Sequence, residues 1–199
     1  MTPSDVLIIG GGPGGLTCAI TLASARSKPW FGDRTITVLD DGRSDLHRAW
    51  LNNAPGIEPG TRGSDVLKRM RSQFLGFEVG DIHHVHVTSL TSAPWCAHCD
   101  DGREFAGEHL VLTTGYKHRE IEGLPGVVVP HHPEGKPGRI ALRHDGLYRI
   151  ADHAHVAGVL AGGSSQFVIA AGIGAQVAVE LLCAWAGKRT HVHDTPPEG

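Results

Sequence analysis

The sequence predicts an α/β fold built on a parallel sheet, and three stretches carry that prediction. Val6–Ile9 is a continuous apolar run, as expected for a parallel strand buried on both faces. It leads directly into a glycine-rich turn at 10–15 and a small, apolar helix at 16–23. A second strand at 35–39 and a long apolar helix at 167–185 complete the pattern. This order of strand, turn, helix and strand indicates a Rossmann-like unit.

The elements between these stretches are assigned in chain order. Pro29 is expected to end the first helix. Ser64 is predicted as the N-cap of a second helix, whose apolar side carries Leu67, Met70 and Phe74 at spacings of three and four.

The second half of the chain changes from helical to β-rich character. Residues 77–114 are predicted as a small β-meander, with a hairpin turn at Asp101–Gly102 and a buried strand at 110–112. Residues 116–150 are polar, contain four prolines and are predicted mostly as loop. Gly187 is expected to end the last helix. We predict a single domain over 1–188 and a flexible tail over 189–199.

Composition and charge exclude several classes of protein. The length of 199 residues suits one domain and not two of ordinary size. A net charge of -3 leaves no broad cationic surface for nucleic acid or anionic lipid. No uninterrupted run of about 18 apolar residues occurs, which is expected to exclude a membrane-spanning helix. The N-terminal residues lack signal-peptide features, and the four cysteines are expected to be free thiols, so the prediction is a cytoplasmic protein.

The glycine-rich turn has the spacing of a dinucleotide-binding fingerprint. In this pattern Gly10 permits the tight turn, Gly12 lets a pyrophosphate approach the backbone, and Gly15 lets helix and strand pack closely. Asp40 ends the next strand, where an acid accepts hydrogen bonds from an adenosine ribose, and Asp41 is the rival choice. The motif alone does not separate NAD from FAD.

Features of the second half make the chain resemble the thioredoxin reductase-like branch of the FAD-dependent pyridine nucleotide–disulfide oxidoreductases. They are the strand end at 113–115, the turn at 156–159, the Gly/Ser turn at 163–166 and the segment NNAPGIEPG at 52–60. The resemblance covers Asp5 to about Lys188. It implies FAD as cofactor, held by Gly10, Gly12, Pro13, Gly14, Gly15, Asp40, Asp41, Asn53, Thr114, Gly115, Gly158, Gln166 and Phe167.

Two departures from that family pattern matter. Val159 stands where family members usually carry an Asp that bonds the ribityl chain. Residues 116–157 stand where the complete family inserts a nicotinamide-binding domain with its own redox-active CxxC. This interval is too short for a βαβ nucleotide domain, and no second GxGxxG occurs. We therefore expect an FAD domain without its NADPH domain.

The segment WCAHCDDG at 95–102 suggests a thiol redox site, but its place in the meander argues against one. On an extended strand Cys96 and Cys99 point to opposite faces, with Cα atoms about 10 Å apart. A disulfide needs less than about 7 Å. We interpret the pair as structural, with a zinc knuckle as the rival reading. Cys18 and Cys183 are predicted as core residues.

The chain has fourteen histidines, which are predicted to be solvated surface and edge positions, and no metal site is predicted. The runs His83–His86 and His131–His132 keep a metal-site alternative open. His118, His131 and His132 are the candidates for proton transfer, because they lie on the segment that replaces the missing domain. No catalytic residue is assigned.

The predicted function is that of a small flavoprotein oxidoreductase, acting as a homodimer. It would pass electrons between FAD and a partner redox protein or small substrate, and by family analogy could serve a sulfur or cofactor-assembly pathway. The alternative from another class is a non-catalytic flavin-binding subunit or sensor. A third hypothesis, an NAD-binding Rossmann protein, is disfavoured by the strand end at 113–115 and the late glycine-rich turn.

Overall fold

The computed structural model describes residues 3–117, 121–133, 135–190 and 192–193. Its helices are α1 (Pro13–Ala23), α2 (Gly63–Leu75) and α3 (Phe167–Ala186), with short 3₁₀ helices at Asp45–Arg48 and Gly158–Ala161. Its strands are β1 (Ser4–Ile9), β2 (Ile36–Asp40), β3 (Trp50–Leu51), β4 (Thr61–Arg62), β5 (Gly80–His84), β6 (Val87–Thr91), β7 (Trp95–Cys99), β8 (Glu104–Leu112), β9 (Val127–Pro130), β10 (Ile140–Arg143), β11 (Arg149–Ala151) and β12 (Ala154–Val156).

The central sheet confirms the predicted α/β fold. Strands β12, β8, β1, β2 and β5 lie side by side in this order, and all four pairings are parallel. β11 adds an antiparallel edge. β8 is nine residues long, and its first part also pairs with β7, which in turn pairs with β6. One long strand therefore joins the parallel sheet to the predicted β-meander.

The two faces of the sheet are covered by different layers. Side chains that point to one face, such as Val6 and Ile8, pack with α1 and α3. Those that point to the other face, such as Leu7 and Ile9, pack with the β-meander through Leu90 and Trp95. This alternation along β1 is what a strand buried on both faces requires. The carboxyl ends of the parallel strands are left for the site described below.

The length and hydropathy of α3 contradict the expectation that no helix could span a membrane. It is 20 residues long, and an 18-residue window within it has a mean hydropathy of 2.0 with a third of the window buried. Within the described part of the chain, it is thus long and apolar enough to cross a membrane. The expected exclusion of any such helix was wrong, because Gln176 and Glu180 interrupt the apolar run without making the helix polar. A core helix of a soluble protein has the same composition, and α3 packs along α1.

Helix boundaries differ from the prediction at two places. α1 ends at Ala23 and not at Pro29, and the chain continues through turns that carry the buried Phe31. α2 begins at Gly63, so Ser64 lies inside the helix and Arg62 is its N-cap. Gly63 is required at this start because a Cβ there would lie 2.1 Å from the carbonyl oxygen of Leu46.

The segment predicted mostly as loop contains three strands. β9 and β10 form a separate two-stranded antiparallel sheet, and β11 pairs with β12. The loop prediction was wrong here because Pro130 ends β9 on an edge, where a missing N–H donor is tolerated. The hairpin turn at Gly102 and the helix end at Gly187 are both present, with φ of +81° and +65°.

The predicted tail is described only in part. Arg189 lies 3.7 Å from the Glu180 carboxylate, and the Thr190 amide donates to Cys183 Sγ. Residues 191 and 194–199 lie outside the described residues.

Candidate functional site

The glycine-rich turn connects β1 to α1 with little room for side chains. Gly10 has a φ of +113°, and a Cβ there would lie 2.5 Å from the carbonyl oxygen of Thr113. A Cβ on Gly15 would lie 1.9 Å from the carbonyl oxygen of Gly10. These two glycines therefore have the turn and packing roles expected of them.

Gly12 differs from its neighbours because only the Ser44 side chain, and no backbone atom, lies within 4 Å of the place where a Cβ would be. Its φ of -82° suits any residue, and a Cβ there would first meet the Ser44 hydroxyl at 3.3 Å. Gly12 is the N-cap of α1, Pro13 opens the helix, and no side chain caps it. The first amides of a helix have no partners within the helix, so this end suits an anion.

Gly14 takes part in a close contact between helices that the dinucleotide-binding motif does not predict. A Cβ on Gly14 would lie 2.8 Å from the Cα of Gly158, and one on Gly174 would lie 2.0 Å from the carbonyl oxygen of Gly14. Thus α1, the late turn and α3 meet backbone to backbone. Gly174 was not identified from the sequence, although a glycine among larger apolar residues in a helix is a signal of close packing.

Asp40 is buried at the end of β2 with several partners. Its Oδ1 accepts from the amides of Gly11 at 3.3 Å and Gly42 at 3.0 Å. Its Oδ2 accepts from the Arg71 guanidinium on α2 at 2.5 Å. Because a carboxylate offers about four lone-pair positions, one remains for a ligand hydroxyl. Arg71 was not identified from the sequence, where it is one of three basic residues on a helix.

Asp41, the rival acid, is half-buried and turned toward other groups. Its Oδ1 accepts from the Arg43 amide at 3.0 Å, and its Oδ2 lies 3.6 Å from His86 Nδ1. Asp41 therefore shapes the loop after β2, while Asp40 joins that loop to the glycine-rich turn.

These parts border one open groove at the carboxyl ends of the parallel strands. Its empty volume is about 1160 Å³, including the solvent at its open side, which suits a cofactor-sized ligand. The predicted residues that line it are Gly10, Gly12, Pro13, Gly14, Asp40, Asp41, Thr114, Gly115, Gly158, Gln166 and Phe167. Gly15 is buried and does not line the groove. Asn53 reaches the rim, where its Nδ2 donates to Gln166 Oε1 at 2.8 Å.

A bridge across the groove was not predicted. Lys117 Nζ contacts the Asp45 carboxylate, and Tyr116 Oη lies 3.5 Å from the same group. The Arg139 guanidinium packs over the ring of Tyr116, 4.4 Å from the ring centroid. These residues connect the strand end at Gly115 to the 3₁₀ helix after β2. The sequence carries no signal for a contact over 72 positions.

Of the candidate proton-transfer histidines, His131 and His132 are described, and neither lines the groove. His131 is buried, and its Nε2 donates to the carbonyl oxygen of Val159 at 2.8 Å. This contact supports the late turn at the position where the family usually has an Asp. His132 is exposed, and His118 lies outside the described residues. His131 therefore makes a contact that supports the late turn, and its candidacy for proton transfer stays a prediction.

The WCAHC segment forms β7, and its two cysteines point to opposite faces, as predicted. Cys96 is half-buried on the outer face, Cys99 is buried, and both thiols are free. Burial raises the pKa of Cys96 above its usual range, and with Asp101 nearby it raises the pKa of Cys99 to about 11. A reactive cysteine needs a lowered pKa, so this pair has the opposite electrostatics.

Residues 4–193 match the model of the pyridine nucleotide-disulphide oxidoreductase family. The chain belongs to this family. Among curated relatives, it is 34% identical to the thioredoxin reductase of Aquifex aeolicus (strain VF5) over 119 residues, which are 58% of this chain and 35% of that protein. It is 30% identical to thioredoxin reductase 1 of Saccharomyces cerevisiae over 131 residues, or 63% of this chain and 41% of that protein. The chain thus spans well under half of these relatives.

Solved structures share the fold at low identity. A thioredoxin reductase from Gloeobacter violaceus superposes with a TM-score of 0.74 at 16% identity, covering 96% of this chain and 98% of that one. A ferredoxin-flavin thioredoxin reductase from Clostridium acetobutylicum gives a TM-score of 0.67 at 14% identity, covering 94% and 99%. The solved structures show a shared fold, the matched part of the sequence resembles thioredoxin reductases, and the family to which the chain belongs binds FAD.

Proposed function

We propose that the chain binds FAD in this groove and passes electrons between the flavin and a partner redox protein or small substrate. The observation that carries the proposal is that α1 and α3 both begin at the groove, and neither has a side-chain cap. Two helix N-termini with free amides favour negative charge on a ligand that reaches both. The fit extends to Gly12, which lines the groove at the start of α1 and has no side chain to obstruct a pyrophosphate there.

The residues divide the groove into two ends. At the β2 end, Asp40 has one lone-pair position left for a ribose hydroxyl. At the α3 end, the Asn53–Gln166 pair sits beside the helix N-terminus, which favours negative charge there. Bound FAD would supply the reversible two-electron chemistry, and the chain would hold and orient it. Val159 cannot replace the usual ribityl-binding Asp, and its carbonyl oxygen already accepts from His131 Nε2 and from the Gly162 amide.

The partner is proposed to approach the open side of the groove. The exposed Trp50 side chain lies on β3 next to Leu51, which packs with the groove residue Phe167. Aromatic side chains are enriched at protein contact sites. We further propose that two chains associate as a homodimer and that the protein acts in the cytoplasm.

A reoxidation experiment tests electron transfer. The FAD-loaded protein is reduced with dithionite without oxygen, and then mixed with a protein disulfide, a ferredoxin or a quinone. The proposal predicts that at least one acceptor restores the flavin absorbance faster than dioxygen does. A double variant, Cys96→Ser with Cys99→Ser, should behave like the wild type because neither thiol is activated.

The same experiment separates the enzyme from the non-catalytic alternative. A flavin-binding subunit or sensor would hold FAD, yet every acceptor would react no faster than dioxygen. That outcome in both the wild type and the Cys96→Ser, Cys99→Ser double variant would favour the non-catalytic alternative.

A further inference from the structure

A group of histidines lies at the edge of the sheet, apart from the groove. His109 is on β8, and His153 is in the turn between β11 and β12. The two rings are 4.8 Å apart between centroids and tilted by 33°. The Leu110 amide donates to the carbonyl oxygen of His153 at 2.8 Å, which fixes the turn against β8.

A carboxylate completes the group. Glu108 Oε1 lies 3.8 Å from His109 Nε2. One ligand atom each from Glu108, His109 and His153 lie within 4.8 Å of one another. Asp152 Oδ1, at 3.9 Å from His153 Nε2, is a further oxygen donor beside them.

Unpaired ring nitrogens are concentrated here. Among the described residues, the buried side-chain nitrogen and oxygen atoms without a hydrogen-bond partner are Nδ1 of His109 and Nδ1 of His155. His155 is only 7% exposed and lies close enough to His109 and His153 to interact electrostatically. Buried polar atoms nearly always have partners, so the unpaired ring nitrogen leaves His109 with bonding capacity for a ligand, while His155 lies outside the group of three.

We propose that Glu108, His109 and His153 bind a Zn²⁺ ion. Imidazole nitrogens and carboxylate oxygens are zinc ligands at about 2.0–2.2 Å, and three protein ligands leave a fourth position for water or Asp152. Glu108 and His153 are 63% and 47% exposed, so their side chains have the freedom to close on an ion. Both also border an open groove with Ser4, Asp5 and Trp95, which provides an entry path.

The bound ion would connect β8 to the β11–β12 turn. It would therefore stabilise an edge of the sheet, independently of what occupies the cofactor groove. Because a ligand that binds only the folded chain raises its stability, zinc at 100 times its Kd should raise the Tm by about 5–10 °C.

The test is a titration of the full chain with Zn²⁺ by calorimetry, and with Co²⁺ by visible absorption. We expect one ion per chain, and affinity at least tenfold weaker in His153→Gly and in Glu108→Gln. His153 has a φ of +52°, so glycine fits its backbone without strain, and Glu108 is exposed, so both variants should fold. Circular dichroism checks this.

Cys96, His98 and Glu104 form the other group of three candidate ligands among the described residues, and provide the control. Cys96→Ser should leave zinc affinity and the Tm shift unchanged, and the Co²⁺ spectrum should lack thiolate charge-transfer absorption. The proposal is overturned if no ion binds, if His153→Gly and Glu108→Gln bind as tightly as the wild type, or if Cys96→Ser abolishes binding.

Discussion

Single residues of the glycine-rich turn have separable roles. Gly10 and Gly15 face backbone atoms at 2.5 Å and 1.9 Å, so a side chain at either position would strain the fold itself. Gly12 has an ordinary φ and faces the groove. The structure therefore distinguishes two glycines that the fold needs from Gly12, for which we propose a role in ligand binding, although the sequence pattern treats them alike.

Replacing Gly12 by alanine should weaken FAD binding at least tenfold and leave the fold intact. The added methyl group would occupy the space where a pyrophosphate approaches α1. FAD affinity is measured by titration of the apoprotein, followed by flavin fluorescence. Gly172→Ala on α3 is the matched control, because a Cβ there meets nothing within 4 Å. Equal FAD affinity in Gly12→Ala and Gly172→Ala would place the pyrophosphate elsewhere.

The buried thiol of Cys18 makes stability depend on alkaline pH. Burial raises its pKa from 9.0 to about 12 in the folded chain. Below pH 9 the thiol is protonated in both states. Above pH 9 the unfolded chain loses this proton while the folded chain keeps it, so stability falls as pH rises toward 12.

We expect Cys18→Ala to lose less stability than the wild type between pH 8 and pH 10.5, by about 2 kcal/mol. Urea unfolding under reducing conditions measures both proteins at both pH values, and the titrations that they share cancel in the difference. A parallel fall in the two proteins would show that Cys18 ionises normally in the folded state.

At the scale of elements, the strands and helices that enclose the groove were predictable because their signals are local. β1 and β2 are short apolar runs, and α1 follows a glycine-rich turn directly. The hairpin turn at Asp101–Gly102 helped to predict the β-meander. These features determined both the fold class and the position of most of the predicted site residues.

Contacts between distant elements were not predictable. Arg71 reaches Asp40 from α2, and Lys117 reaches Asp45 across the groove. Neither contact has a periodic or spacing signal, since each depends on how separate elements pack. The β9–β10 hairpin was missed for a related reason: its short strands are exposed and contain a proline, so their pattern resembles that of a loop.

The β9–β10 region should not hold nicotinamide against the flavin. Hydride transfer requires the nicotinamide within about 3–3.5 Å of the flavin, and a βαβ domain normally holds it there. Here residues 116–157 provide short strands and turns in their described parts, with no second glycine fingerprint in the sequence. Stopped-flow mixing with saturating NADPH should bleach the flavin far more slowly than dithionite does. Bleaching within milliseconds would show that this region itself binds nicotinamide.

For the whole molecule, we expect a homodimer. Exposed apolar side chains on α3, among them Val168 at 44% and Ile169 at 42%, would be covered by a second chain. Sedimentation velocity at micromolar concentration should give twice the 21.1 kDa mass of the chain, and Ile169→Asp should shift the protein toward the monomer. A wild-type protein that sediments as a monomer would contradict this expectation.

The most direct test of the whole account is to measure which cofactor the folded chain binds. Purified protein is incubated with FAD or with NAD, freed of unbound ligand, and examined by absorption spectroscopy and calorimetry. The groove with its uncapped α1 and α3, the Asn53–Gln166 pair and the glycine-rich late turn predicts a yellow protein with one FAD per chain and weak NAD binding. A colourless protein that binds NAD tightly and does not bind FAD would contradict the account.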